Sequence, residues 1–145
     1  MLGLLNISEA MSIALHTCVW LAHDTERFHS ARQISKALGF SPHHFAKVVQ
    51  QLARAGVLET ERGPAGGAKL ARPPSQINLL EIYVAAGGTP ILKGCLLKHD
   101  ICKGNTCALG KLMADENKRL VTLLKTITLD TVVNSLKRNQ LGKTA

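Results

Sequence analysis

Residues 30–74 read SARQISKALGFSPHHFAKVVQQLARAGVLETERGPAGGAKLARPP, and this stretch decides the fold. Ser30 can cap a helix, Ala31 to Leu38, in which Ile34, Ala37 and Leu38 form the inward stripe and which Gly39 ends. Ser41 then precedes Pro42 at the first position of another helix, carried through Phe45, Val48, Val49, Leu52 and Ala53 to Gly56. Beyond Gly56 the period changes. Val57–Glu61 and Lys69–Ala71 are short strand candidates, separated by Arg62-Gly63-Pro64-Ala65-Gly66-Gly67, whose glycines supply the backbone of a hairpin. Helix, short turn, helix and Gly-rich hairpin make the winged form of the helix-turn-helix. That order lays one helix in the major groove of DNA while the wing reaches backbone or minor groove.

Outward from this unit, Ser8 to Ala22 has near-helical spacing of Ala10, Ile13, Ala14, Val19, Leu21 and Ala22, with Ser8 as N-cap. Arg72-Pro73-Pro74-Ser75 stops the second strand, and Asn78 caps a helix through Leu79, Leu80, Ile82, Tyr83 and Val84 that ends near Gly87-Gly88. Leu92 to Cys107 is loop-like. A long amphipathic helix starts at about Ala108 with Leu109, Leu112, Met113, Leu120, Leu123, Leu124 and Ile127, and Ser135–Ala145 is expected to be a frayed basic tail.

The 145 residues fit one compact domain, and 46% hydrophobic content suffices for an ordinary core. With 18 lysines and arginines against 10 acids the net charge is +8, which favours a polyanion such as DNA or an anionic membrane. No apolar run reaches the roughly 18–20 residues needed to span a bilayer, since Ser12, His16 and Thr17 interrupt Ala10–Ala22. The N-terminus lacks the pattern of a secretory signal, so a cytoplasmic location is expected. Aromatics make up only 3%, which weighs against reading single strands by base stacking. An enzyme finds no support: no nucleophile, base and orienting acid stand out, and Gly63–Gly67 lacks the Gly-Lys-Ser/Thr ending of a phosphate loop.

At the start of the recognition helix Ser41, His43, His44 and Lys47 point away from the Phe45/Val48/Val49 core face and can reach phosphates or base edges. Arg62 at the wing tip can enter a minor groove or clamp a phosphate. Lys69 and Arg72 are generic phosphate candidates. Cys95, Cys102 and Cys107, with six and four residues between them, form a donor-dense loop together with His99 and Asp100. In a reducing compartment they are read as free thiols, redox switches or soft ligands for an iron–sulfur cluster or zinc. Cys18, within the apolar first helix, reads as a buried small hydrophobe.

The segment 62–74, Ile77, the Leu79-Leu80-Glu81-Ile82 helix, Gln33–Gly39, Leu52–Val57 and the three downstream cysteines resemble the IscR/NsrR (Rrf-type) family of bacterial winged-helix repressors, over about residues 7 to 130. The resemblance implies a fold that is mainly α with a small β-wing, in which a winged helix-turn-helix is joined to a long C-terminal dimerisation helix. Its parts are then a DNA-binding region (1–76), a linking helix and cysteine loop (77–107), a dimerisation helix (108–135) and the tail (136–145). It further implies a homodimer that reads an imperfect palindrome in double-stranded DNA, as a transcription regulator, and a 2Fe-2S or 4Fe-4S cluster on Cys95, Cys102 and Cys107 that senses redox, nitric oxide or iron status. Family members without a cluster imply the alternative of a thiol- or partner-controlled repressor. The chain departs from the family's pattern at several points. Its cysteines are not spaced by five and five. Gly110 stands where a fourth ligand, a histidine, follows the third cysteine, and Ser12 stands at the acidic first-helix position. By donor type His99, Asp100, Glu9 or His16 could take that place, the last two from a partner subunit. Ala46 replaces a glutamate used for base discrimination in the cluster-assembly regulator, so the operator need not be shared.

Overall fold

The computed structural model of the protein describes residues 7–90 and 107–141. Cys95, Cys102, His99 and Asp100 lie outside the described residues.

Among the described residues six helices and one two-stranded antiparallel sheet follow in the order α1 (Glu9–Leu21), α2 (Ala31–Leu38), α3 (Pro42–Arg54), β1 (Leu58–Glu61), β2 (Gly67–Leu70), α4 (Leu79–Ala85), α5 (Ala108–Thr126) and α6 (Leu129–Leu141), with a 3-10 turn at Pro74–Gln76. This is the mainly helical architecture with a small β-wing that the sequence implies. The helix starts follow from local chemistry. Ser8 accepts a hydrogen bond from Met11 N at 3.2 Å. Ser30 and Gln33 exchange reciprocal bonds, Gln33 N to Ser30 Oγ at 3.2 Å and Ser30 N to Gln33 Oε1 at 2.9 Å, and Asn78 with Glu81 repeats this arrangement at α4. Gly39 turns the chain out of α2 with φ +70°.

The core gathers around α1, whose Met11, Ile13, Ala14, Cys18 and Leu21 pack with Ile34 of α2, Phe45, Val48 and Leu52 of α3, Ile82 of α4 and Leu129 of α6. In the wing Leu58 faces Leu70 and Glu61 faces Gly67. The loop after α1 adds a third rung: His29 N donates to Ala68 O at 3.0 Å and Ala68 N to His29 O at 2.9 Å. The second strand therefore begins at Gly67, before the Lys69 expected from sequence. The reason is steric, because a Cβ on Gly67 would lie 2.1 Å from His29 O. A residue that reads locally as turn is glycine here so that another strand can approach.

The segment expected as a single helix over 108–135 is broken. α5 ends at Thr126, Ile127 is extended (φ −82°, ψ 121°), and α6 starts at Leu129. The β-branched run Thr126-Ile127-Thr128 favours extended backbone, and a short bridge captures it: Leu79 N donates to Ile127 O at 3.0 Å and Leu129 N to Ile77 O at 2.8 Å. α6 turns back to bury Leu129 and Val133, and its helical backbone reaches Leu141, well into the stretch expected to fray. Among the described residues no helix is long and apolar enough to cross a membrane.

Candidate nucleic-acid interface

α3 is two-sided. Phe45, Val48 and Leu52 are buried against the core, while His43, Ala46, Lys47, Gln50 and Arg54 are exposed along the opposite stripe. Ser41 stands at its N-cap, exposed and without a side-chain cap hydrogen bond. The first-turn amides of α3 therefore face solvent beside a hydroxyl, a geometry suited to a phosphate oxygen. Gln50 and Arg54 were not singled out from sequence, yet a helical period counted on from His43 and Lys47 reaches both.

His44 belongs to a different face. Its Nδ1 lies 3.3 Å from Glu9 Oε1 at the start of α1, and its ring centroid is 6.0 Å from that of His43. Glu9, His44 and Lys47 also border one small cleft between α1 and α3. His16 Nδ1 is 2.7 Å from Ser12 O of its own helix.

The wing basic residues divide in two. Arg62 is exposed beside a tight turn closed by Gly66 N donating to Gly63 O at 3.1 Å, and it has no ion-pair partner among the described residues. Lys69 is engaged within the wing: its Nζ sits 3.8 Å from Glu59 Oε2 and 4.6 Å from the centre of the Phe28 ring. Arg72 pairs with Glu81 and donates from Nη1 to Gln76 O at 3.0 Å, fixing the wing exit to the first turn of α4. Both are braces in this arrangement, and their partners are too far along the chain to be seen from local patterns.

Of the three loop cysteines, Cys107 is described. It is the N-cap of α5, half-buried, and its Sγ accepts a hydrogen bond from Gly110 N at 3.4 Å. Among the described residues no three His, Cys, Asp or Glu side chains converge. Cys18 is wholly buried in α1, and burial pushes its thiol up to about 12.

A family model described as Rrf2, iron-dependent transcriptional regulator, matches residues 7–135. The chain belongs to the Rrf2 family. It is 30% identical to the HTH-type transcriptional regulator NsrR of Geobacillus kaustophilus over 106 residues, which cover 72% of this chain and 69% of that protein. Among solved structures, that of CymR, the global cysteine regulator of B. subtilis, covers 91% of this chain with 98% of its own (TM-score 0.76, 22% identity). T. potens IscR covers 94% with 91% of its own (TM-score 0.76, 22% identity). As an Rrf2 protein the chain is a transcriptional regulator and not an enzyme. In this winged-helix fold α3 is the second helix of the helix-turn-helix and β1–β2 the wing.

Proposed function

We propose that this Rrf2 protein is a cytoplasmic homodimeric repressor that reads an imperfect palindrome in double-stranded DNA, under control of an iron–sulfur cluster on Cys95, Cys102 and Cys107. The observation that carries the DNA reading is the exposed stripe of α3, His43, Lys47 and Gln50, on a helix whose other face is locked by Phe45, Val48 and Leu52. A rigid helix with unengaged donors on its outer face suits a major groove. Ser41 takes a phosphate, His43 and Gln50 face base edges, and Lys47 and Arg62 neutralise phosphates on either side. His44 is paired with Glu9 of α1, and Lys69 and Arg72 brace the wing. Two copies related by a two-fold axis present two such helices to two half-sites.

The donor set suits a cluster: three thiols close in sequence are soft ligands, and Cys107 already presents its sulfur as a hydrogen-bond acceptor at a helix start. A bound cluster supplies an electron-accepting, oxygen- and nitric-oxide-reactive centre. This chain's part would be to hold it on the segment that follows α4, which Arg72 and Glu81 tie to the wing, and leads into α5 in the chain. A difference of about 1–3 kcal/mol between the cluster-loaded and cluster-free forms would regulate DNA affinity roughly 5- to 150-fold. One observation favours the thiol-controlled alternative: Gly110, the residue that bonds Cys107, brings no donor side chain at the place where cluster sensors carry their histidine.

The DNA reading is tested by titrating the protein against random and selected operator duplexes at increasing salt. Affinity that falls steeply with salt, together with a selected palindrome bound far more tightly than random sequence, supports it. Weak, salt-insensitive binding to both overturns it.

A further inference from the structure

α5 carries two stripes. Gly110, Ala114, Asn117, Val121 and Leu124 are its more buried positions, and α4 packs on this helix. One residue away run Leu109, Met113, Glu116, Leu120 and Leu123, continued by Ile127 at the C-cap, spaced by four, three, four, three and four, the repeat of a coiled-coil seam. Most of this outer stripe is exposed, Leu109 to 61% and Leu123 to 51%, with Leu112 at 55% on its flank, while Leu120 and Ile127 are half-buried. At its centre the apolar pattern is interrupted by a carboxylate, Glu116, whose Oε1 lies 3.2 Å from Arg119 Nη1.

The geometry points to Glu116 and Arg119 as a self-complementary charge latch at the two-fold axis of an α5–α5 seam with a second copy of this chain. The inference rests on the homodimer reading above and adds what sets its orientation and strength. The stripe is centred on residue 118, so antiparallel pairing sets Leu109 against the partner's Ile127 and Met113 against the partner's Leu123. Arg119 then lies within one residue's rise of the partner's Glu116, and the two acids and two bases alternate around the axis. Parallel pairing would instead stack Glu116 on the partner's Glu116 in a desolvated seam, a like-charge contact that disfavours it. The apolar positions supply association. The latch selects the antiparallel register and makes the dimer sensitive to salt.

Charge reversal in full-length protein tests this. Glu116→Arg leaves four positive charges at the axis and Arg119→Glu four negative, whereas a mixture of the two chains restores alternation. Both side chains are more than half exposed, so folding is not at stake, and circular dichroism checks this. Sedimentation equilibrium at low salt is expected to show each variant alone dissociating at least about tenfold more readily than wild type, and an equimolar mixture recovering to within about threefold. A Glu116→Leu variant is expected to dimerise with less salt dependence. Variants that dimerise like wild type, or a mixture no tighter than its components, overturn the latch while leaving the homodimer intact. A wild-type chain that stays monomeric overturns both.

Discussion

His44 Nδ1 stands 3.3 Å from Glu9 Oε1, joining the first turn of α3 to the first turn of α1. His43, one residue earlier, is exposed and has no such tie among the described residues. Two adjacent histidines therefore have separate duties. Replacing His43 or Lys47 by alanine is expected to weaken operator binding by about 1–3 kcal/mol, with Lys47→Ala also lowering the salt slope by about one. His44→Ala breaks only an exposed pair and should change folding stability by less than about 1 kcal/mol, with operator affinity within about threefold of wild type. Fluorescence anisotropy on all three variants checks the contrast.

The two basic residues of the wing should separate in the same way. Arg62→Ala is expected to reduce DNA affinity and the salt slope while leaving urea denaturation unchanged. Lys69→Ala removes a brace over Phe28 and beside Glu59, so a change in stability of about 0.5–1 kcal/mol should accompany a salt slope close to wild type. Equal slope changes in both variants would contradict this division.

Gly67 is the point where the wing meets the α1–α2 loop. Its φ is +149°, and a Cβ there would stand 2.1 Å from His29 O. Gly67→Ala should therefore cost more than about 1 kcal/mol, read by urea denaturation, and weaken DNA binding by detaching the wing from its third rung. Gly39 has open space around its Cβ position, so Gly39→Asn is expected to be far milder.

Cys18 gives a pH-dependent signature. In the unfolded chain its thiol ionises near the ordinary 9.0, and in the fold it stays protonated to about 12. The unfolded state thus loses this proton first. The contribution to stability is full below pH 9 and is lost as pH rises toward about 12. The stability difference between wild type and Cys18→Ala, followed by denaturation across this window, should shrink on the alkaline side. Alkylation of native protein at pH 8 should spare Cys18.

Much of this was legible in the sequence because the boundaries carry their own chemistry. Ser8, the Ser30/Gln33 and Asn78/Glu81 pairs, Gly39 and Pro42 each act within four residues, so α1 to α4 could be placed from local patterns alone. What escaped depends on distant partners. The α5–α6 break is held by Ile77 and Leu79, and the early start of β2 by His29. Lys69 and Arg72 read as free cations until Glu59 and Glu81 are brought beside them. Gln50 and Arg54 are another matter, since the helical period did signal them.

Cluster control is tested most directly by the visible absorption spectrum, with iron and sulfide analysis, of protein purified without oxygen, beside a Cys107→Ala variant. A coloured protein containing iron and acid-labile sulfide is expected, with the colour and the iron lost in the variant. A colourless, iron-free wild-type protein, even after reconstitution with iron and sulfide, would contradict cluster control and leave a thiol-controlled DNA-binding dimer.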